Sequence, residues 1–239
     1  MNRLSGMKCR AIGLAAMLLG LQVAGVQAAG ENTSPASDVA KQPVVFYKPP
    51  LRGAPQARVG GGTRGSGSDA VLQVLAPDHV GLTTRSQPTL YWFARTPSAA
   101  RFEVALIDAE GIDPLLEVEA GAGKAAGIQH LNLGDYGVSL QPGVSYQWSV
   151  ALVADADNRA TDLVASGVIE RIEPDEELSN RIKDSSGMAL VNVYASEGIW
   201  YDALHEISSQ IAASPDDGSL LAIRDKLLEQ VGLQVATGH

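Results

Sequence analysis

Cysteine is almost missing from this chain: among 239 residues there is one, Cys9. Histidine is also scarce. His79, His130, His205 and His239 are scattered, unpaired and without the spacing a zinc site needs. No Gly-x-Ser-x-Gly is present, so the nucleophile elbow of a serine hydrolase has no counterpart. No Gly-Lys-Ser/Thr follows the glycine-rich stretch, which excludes the ordinary phosphate loop. Beyond the first 26 residues there is no apolar run long enough to span a membrane.

What is present begins with an export signal. Met1 to Arg10 carries Arg3, Lys8 and Arg10 and no acid, and Ala11 to Val26 is apolar apart from Gln22. That run is too short and too rich in small residues for a comfortable span, but it suits a signal-peptide core. Val26-Gln27-Ala28 before Ala29 offers small residues where a signal peptidase reads. The expected mature chain starts after Ala28 and is periplasmic or secreted. Cys9 leaves with the signal, so no disulfide can form and the core alone must hold the fold. The chain left is long enough for one large domain or two small ones.

Removal of the signal leaves 15 of the 18 basic residues against all 27 acidic ones. So acidic a surface is not expected to bind nucleic acid or anionic lipid broadly, and no stable membrane insertion is expected after cleavage. The charge is uneven. Residues 40–68 hold Lys41, Lys48, Arg52, Arg58 and Arg64 and no acid, whereas residues 69–239 are strongly acidic. A basic arm thus precedes an acidic body. The arm lies either on that body or on a separate partner, another envelope protein or a polyanion.

Residues 29–42 are polar and read as a disordered linker. Pro43 to Lys48 reads as a short strand, stopped by Pro49 and Pro50, and residues 43–69 as the Gly/Pro/Arg-rich arm. From residue 70 to 172 the pattern is that of a β-sandwich. Candidate strands are Val71 to Ala76, Thr89 to Ala94, Arg101 to Ile107, Leu115 to Glu119, Gly127 to Leu133, a strand through Tyr146 to Val150, and Val164 to Ile172. Gly81-Leu82-Thr83 precedes a turn at Ser86-Gln87-Pro88. Leu90 and Trp92 share one face, and Phe102, Val104 and Leu106 another. The string Leu140-Gln141-Pro142-Gly143 into Tyr146, Trp148 and Val150 resembles the penultimate-strand corner of fibronectin type III and other immunoglobulin-like sandwiches, with Tyr146 as the corner tyrosine.

Residues 173–233 change to helical periodicity. Glu173 to Lys183, Met188 to Glu197, Trp200 to Ala213 and Asp217 to Val231 carry apolar positions three and four apart. Leu190, Tyr194, Gly198, Trp200, Ala203 and Pro215 have the spacing of one tetratricopeptide unit. A single unit cannot build a solenoid, so a helical hairpin that packs on the sandwich is the plainer reading. Residues 234–239 read as a disordered tail. The expected class is α+β: an immunoglobulin/fibronectin III-like β-sandwich followed by a small C-terminal helical bundle.

These landmarks include Gly60-Gly61-Gly62-Thr63-Arg64-Gly65, Gly81-Leu82-Thr83, Gln87-Pro88-Thr89-Leu90-x-Trp92, Tyr146-x-Trp148 and Gly198-Ile199-Trp200-Tyr201-Asp202-Ala203. Together they resemble the bacterial domain-of-unknown-function family 928, over roughly residues 44–233. That family has no assigned activity, so the resemblance implies a domain extent and supplies no catalytic residue.

The candidate binding residues are Arg52, Arg58 and Arg64 of the arm, and Trp200, Tyr201 and Asp202 of the third helix. Adjacent helical side chains point about 100° apart, so Trp200 and Tyr201 are not both expected in the core. Trp200 is expected to be buried, and Tyr201 or Asp202 to face the surface, with Asp202 opposite an arginine of the arm. The group is either a seam between sandwich and helices or a binding hot spot. Asp155-x-Asp157-Asn158 lacks the glycine and distal glutamate of a calcium loop and reads as an acidic turn. Asp216-Asp217 reads as a helix cap. No catalytic residue, metal site or cofactor is expected. The expected role is non-catalytic: an exported envelope protein acting as a protein-interaction module, or alternatively a small-molecule or glycan binder or a weak hydrolase.

Overall fold

Alternation of apolar and polar residues builds strands where turns punctuate the chain, and eight strands form among the described residues. They are β1 (Val71–Val74), β2 (Gly81–Thr83), β3 (Thr89–Arg95), β4 (Arg101–Asp108), β5 (Leu116–Ala120), β6 (Gly127–Asn132), β7 (Ser145–Val153) and β8 (Leu163–Arg171). Four helices follow: α1 (Glu176–Asp184), α2 (Gly187–Ser196), α3 (Trp200–Ala213) and α4 (Gly218–Glu229). The structure is a computed structural model that describes residues 45–50, 71–95, 101–108, 111, 113–120, 127–153 and 155–235. The chain divides into Met1–Ala40 and Lys41–His239, and every described residue belongs to the second unit. The export signal, the linker at 29–42, the tail beyond residue 235 and Arg52, Arg58 and Arg64 lie outside the described residues.

The strands form two sheets. One has the order β1-β3-β6 and the other β2-β8-β7-β4-β5. All pairings are antiparallel except β2 with β8, which run parallel. Gly81-Leu82-Thr83, read from the sequence only as a lead into a turn, is therefore a strand. One hydrophobic core joins both sheets and the helices, with Trp92, Phe102, Trp148, Ile169, Trp200 and Leu204 among its members. In β4 the expected alternation holds: Phe102, Val104 and Leu106 are buried and their neighbours are partly exposed. In β3 it does not. Thr89 to Ala94 are all buried, because a second layer covers the face opposite Leu90 and Trp92. Tyr91, on that other face, meets His205 of α3.

The helix ends follow local chemistry. Asp175 caps α1 by accepting from Leu178 N–H, and Asp217 caps α4 by accepting from Ser219 and Leu220 N–H. At the end of α2, Gly198 N–H donates to Ala195 O and Ile199 N–H to Tyr194 O. This is a Schellman closure with Gly198 at φ +74°, the left-handed region that favours glycine. The Asp155 turn closes on itself, with Asp157 N–H donating to Asp155 Oδ1 at 2.9 Å.

Of the strand expected over Pro43 to Lys48, the described residues Val45 to Lys48 join no sheet. They form a strap instead. Lys48 N–H donates to Ala195 O, Tyr47 N–H donates to Gln230 Oε1, and Gln230 Nε2 donates to Val45 O. Val45 and Tyr47 are buried while Phe46 points outward. The strap therefore takes its hydrogen bonds from helix ends rather than from a strand edge.

Candidate functional site

The Trp200-Tyr201-Asp202 group is interior. All three residues are buried, with Asp202 at 0% exposure, so the expectation that Tyr201 or Asp202 faces solvent is corrected. The reason is tertiary. Ile199 to Leu204 are all buried, so the first turn of α3 is covered on every side rather than lying with one face on the sheets. Each of the three side chains then ties a different element. Trp200 Nε1 donates to Leu75 O, just after β1, at 2.8 Å. Tyr201 Oη accepts from Trp148 Nε1 of β7 at 2.8 Å and donates to Val168 O of β8 at 3.1 Å. Asp202 accepts from both Thr83 Oγ1 and Thr84 Oγ1 at 2.5 Å and from Thr84 N–H at 2.9 Å. Gly81 makes the approach possible, since a Cβ there would sit 2.5 Å from Tyr201 Cε2.

Among the described residues Arg85, of the loop after β2, stands near Asp202, with Nε 4.0 Å from Oδ1; the expected pairing of Asp202 with an arginine of the arm lies outside the described residues. Burial pushes the Asp202 carboxyl up, against the Thr83 and Thr84 hydrogen bonds and the Arg85 charge that favour ionisation. The group is thus built as a seam between sheets and helices.

A cleft of about 490 Å³ opens beside that seam. β3 supplies Thr89 and Tyr91 to its wall, and β6 supplies Ile128, His130 and Asn132. α3 adds His205, Ser208, Ile211 and Ala212, α4 adds Arg224, and Asp135 stands exposed at the rim. Register explains the sheet side, because Tyr91 and His130 are directly paired across β3 and β6 and project to one face. Helical spacing explains the other side, because His205, Ser208 and Ala212 recur at three and four.

Tyr91 Oη lies 3.1 Å from His205 Nδ1, and the His130 ring is tilted against the Tyr91 ring with centroids 5.8 Å apart. Burial pushes the Tyr91 phenol up to about 12, and burial, helped by Arg85 and His130, pushes His205 down to about 4. At neutral pH both groups are uncharged. Asn132 Nδ2 donates to Thr89 Oγ1 at 3.2 Å. Arg224 is 8% exposed, its Nε has no acceptor among the described residues, and its Nη2 has Asp225 Oδ1 at 3.3 Å.

This set can bind, orient and hydrogen-bond a small molecule. It is not arranged as a nucleophile with its base, since the Ser208 hydroxyl is buried and makes no hydrogen bond to His205 among the described residues. No group of three or more His, Cys, Asp or Glu side chains converges as a metal would need among the described residues. A second groove, of about 530 Å³, runs between the strap and the end of β8. Three of its charged residues engage the protein itself: Glu170 accepts from Ser145 Oγ, Arg171 donates to Leu140 O, and Glu197 pairs with Arg181.

Sequence reading missed the cleft. Its histidines look scattered because β6 and α3 bring His130 and His205 together from 75 positions apart. One signal was available. Arg224 interrupts the apolar run Leu220, Ile223, Leu227, where a charge is out of place on a packed face.

The chain is thus an α+β protein of two sheets and four C-terminal helices, with a polar-lined cleft where sheet and helices meet. It belongs to the family of the Domain of Unknown Function (DUF928), whose pattern matches residues 59–238. No curated protein matches. Among solved structures, astrotactin-2, a conserved vertebrate-specific and perforin-like membrane protein involved in neuronal development, is similar at 11% identity and a TM-score of 0.29. That match covers 68% of this chain and 35% of the other, and a likeness so weak carries no argument about function.

Proposed function

We propose that this chain is an exported, non-catalytic binding protein whose ligand is a small molecule held in the cleft between the β3–β6 face and helices α3 and α4. The observation that carries the reading is the convergence of Tyr91, His130, His205 and Arg224 on a cavity of about 490 Å³ that also has apolar walls at Ile128 and Ile211. Pockets of that size with a few convergent polar groups are the usual form of a small-ligand site. The framework is read as an immunoglobulin-like sandwich. The strand orders β1-β3-β6 and β8-β7-β4-β5 support this, as does the Tyr146 hydroxyl, which accepts from Gln141 N–H at 2.9 Å as a corner tyrosine would. The basic leader residues and the apolar run after them support export to the periplasm or beyond.

The test is a thermal-shift screen of the protein against metabolites and glycans, repeated with Ala212→Trp. Ala212 is exposed at the mouth, so an indole there fills the cleft without disturbing the core. At least one compound class is expected to raise the Tm of the wild type and not of A212W. A flat screen, or shifts that survive A212W, would sink the reading. Export is tested by N-terminal sequencing of protein from the cell envelope, with Ala29 expected as the first residue; a chain still carrying Met1 would refute it.

A second reading is docking to another envelope protein through the N-terminal strap. Phe46 supports it, at 71% exposure on a strap otherwise anchored by Val45 and Tyr47. In-cell crosslinking from position 46 is expected to capture a partner that Phe46→Ser loses. Capture unchanged in F46S would remove the strap from consideration.

A further inference from the structure

From the balance of charge in the cleft we infer that its ligand is a small organic monocarboxylate, with the acid group on Arg224 and an apolar body against Ile128 and Ile211. The inference rests on the reading of the cleft as a ligand site. Among the described residues of its lining, Arg224 is the one arginine or lysine and Asp135 the one carboxylate. Arg224 is buried and short of acceptors: Nε has none among the described residues, and Nη2 reaches only Asp225, outside the lining, at 3.3 Å. A mostly buried guanidinium with one buried donor unmatched is costly unless an anion joins it. Among the other polar wall groups Tyr91 lies against His205 and Asn132 against Thr89, and the Ser208 hydroxyl, which has no partner among the described residues, is neutral.

The class of anion follows from what surrounds that arginine. His205, pushed down to about 4, adds no positive charge at neutral pH. Arg224 is the one guanidinium of the described lining, Arg85 lying outside it, and one guanidinium suits a single charge better than a phosphate dianion. Asp135, an exposed carboxylate of the same lining, repels a second carboxylate on the ligand, which disfavours dicarboxylates. Ile128, Ile211 and Ala212 give the same lining its apolar wall, which suits an apolar body.

The experiment titrates the full chain with phenylacetate, its neutral amide phenylacetamide, and the cation 2-phenylethylamine. It follows amide resonances of Tyr91, His130, His205 and Ser208 by two-dimensional NMR. Phenylacetate is expected to shift these resonances. Phenylacetamide should bind at least about tenfold more weakly and the amine not at all, since a charge-assisted bond to arginine is lost. Arg224→Gln should weaken phenylacetate by a similar factor while leaving the amide unchanged. If R224Q fails to fold, the acid-against-amide comparison on the wild type decides alone. Amide binding equal to acid binding overturns the monocarboxylate assignment and leaves the cleft as a ligand site. Silence from all three probes overturns the assignment too, and the thermal screen against A212W then separately decides whether the cleft binds anything.

Discussion

Tyr201 is 1% exposed and holds two hydrogen bonds, one from the buried Trp148 indole and one to Val168 O. Removing the hydroxyl leaves the buried indole donor unpaired, so Tyr201→Phe is expected to cost about 1–3 kcal/mol in urea unfolding. A loss under about 0.5 kcal/mol would show that the hydroxyl is dispensable to the seam.

Asp202 beside it makes a prediction in pH. Its folded-state pKa lies above its ordinary value of 3.8. Between those two values the folded chain keeps a proton that the unfolded chain has released, so stability is lost as pH rises through the window. Asp202→Asn keeps one acceptor oxygen, enough for the Thr84 side of the carboxylate but not for Thr83 as well, and never ionises. The Tm of D202N relative to wild type is therefore expected to improve as pH rises from about 3.8 toward neutrality. A relative Tm that falls over that range would mean that the hydrogen bonds outweigh burial.

At the scale of elements, the strap and the α2 closure depend on one glycine. Gly198 sits at φ +74°, and a Cβ there would meet Lys48 O at 2.7 Å. Gly198→Ala combines a left-handed backbone with that clash, at a cost of about 1–3 kcal/mol. Hydrogen exchange at Lys48 N–H, bonded to Ala195 O, is expected to quicken more than exchange in the centre of β7. Equal effects at both places would mean that the strap is not what Gly198 positions.

Most elements were legible in the sequence at this scale. Alternation placed β4 and β7, three- and four-residue spacing placed α3 over Trp200–Ala213, and capping residues placed the start of α4. The strap was misread as a strand because Pro-Val-Val-Phe-Tyr carries β propensity, while its partners, Ala195 and Gln230, are about 150 and 185 residues away. Short β2 was missed because three residues hold no period; its partner β8 defines it.

The whole molecule is expected to unfold as one unit. Trp200 with Leu75, Tyr201 with Trp148, and Asp202 with Thr83 and Thr84 join helices to sheets inside a single core. Calorimetry is expected to show one transition with matching van 't Hoff and calorimetric enthalpies. Separate melting of sheets and helices would contradict that coupling.

By itself the sequence determined the segments: where chain direction turns, which residues alternate, which helices begin at an aspartate and end at a glycine. These depend on neighbours a few positions apart, so local chemistry sets them. Only the tertiary structure decided that Tyr201 and Asp202 are interior and that His130, His205 and Arg224 share one cleft. Burial on every side of a helix's first turn, and the meeting of a strand pair with two helices, come from packing between distant segments. No local period encodes that packing.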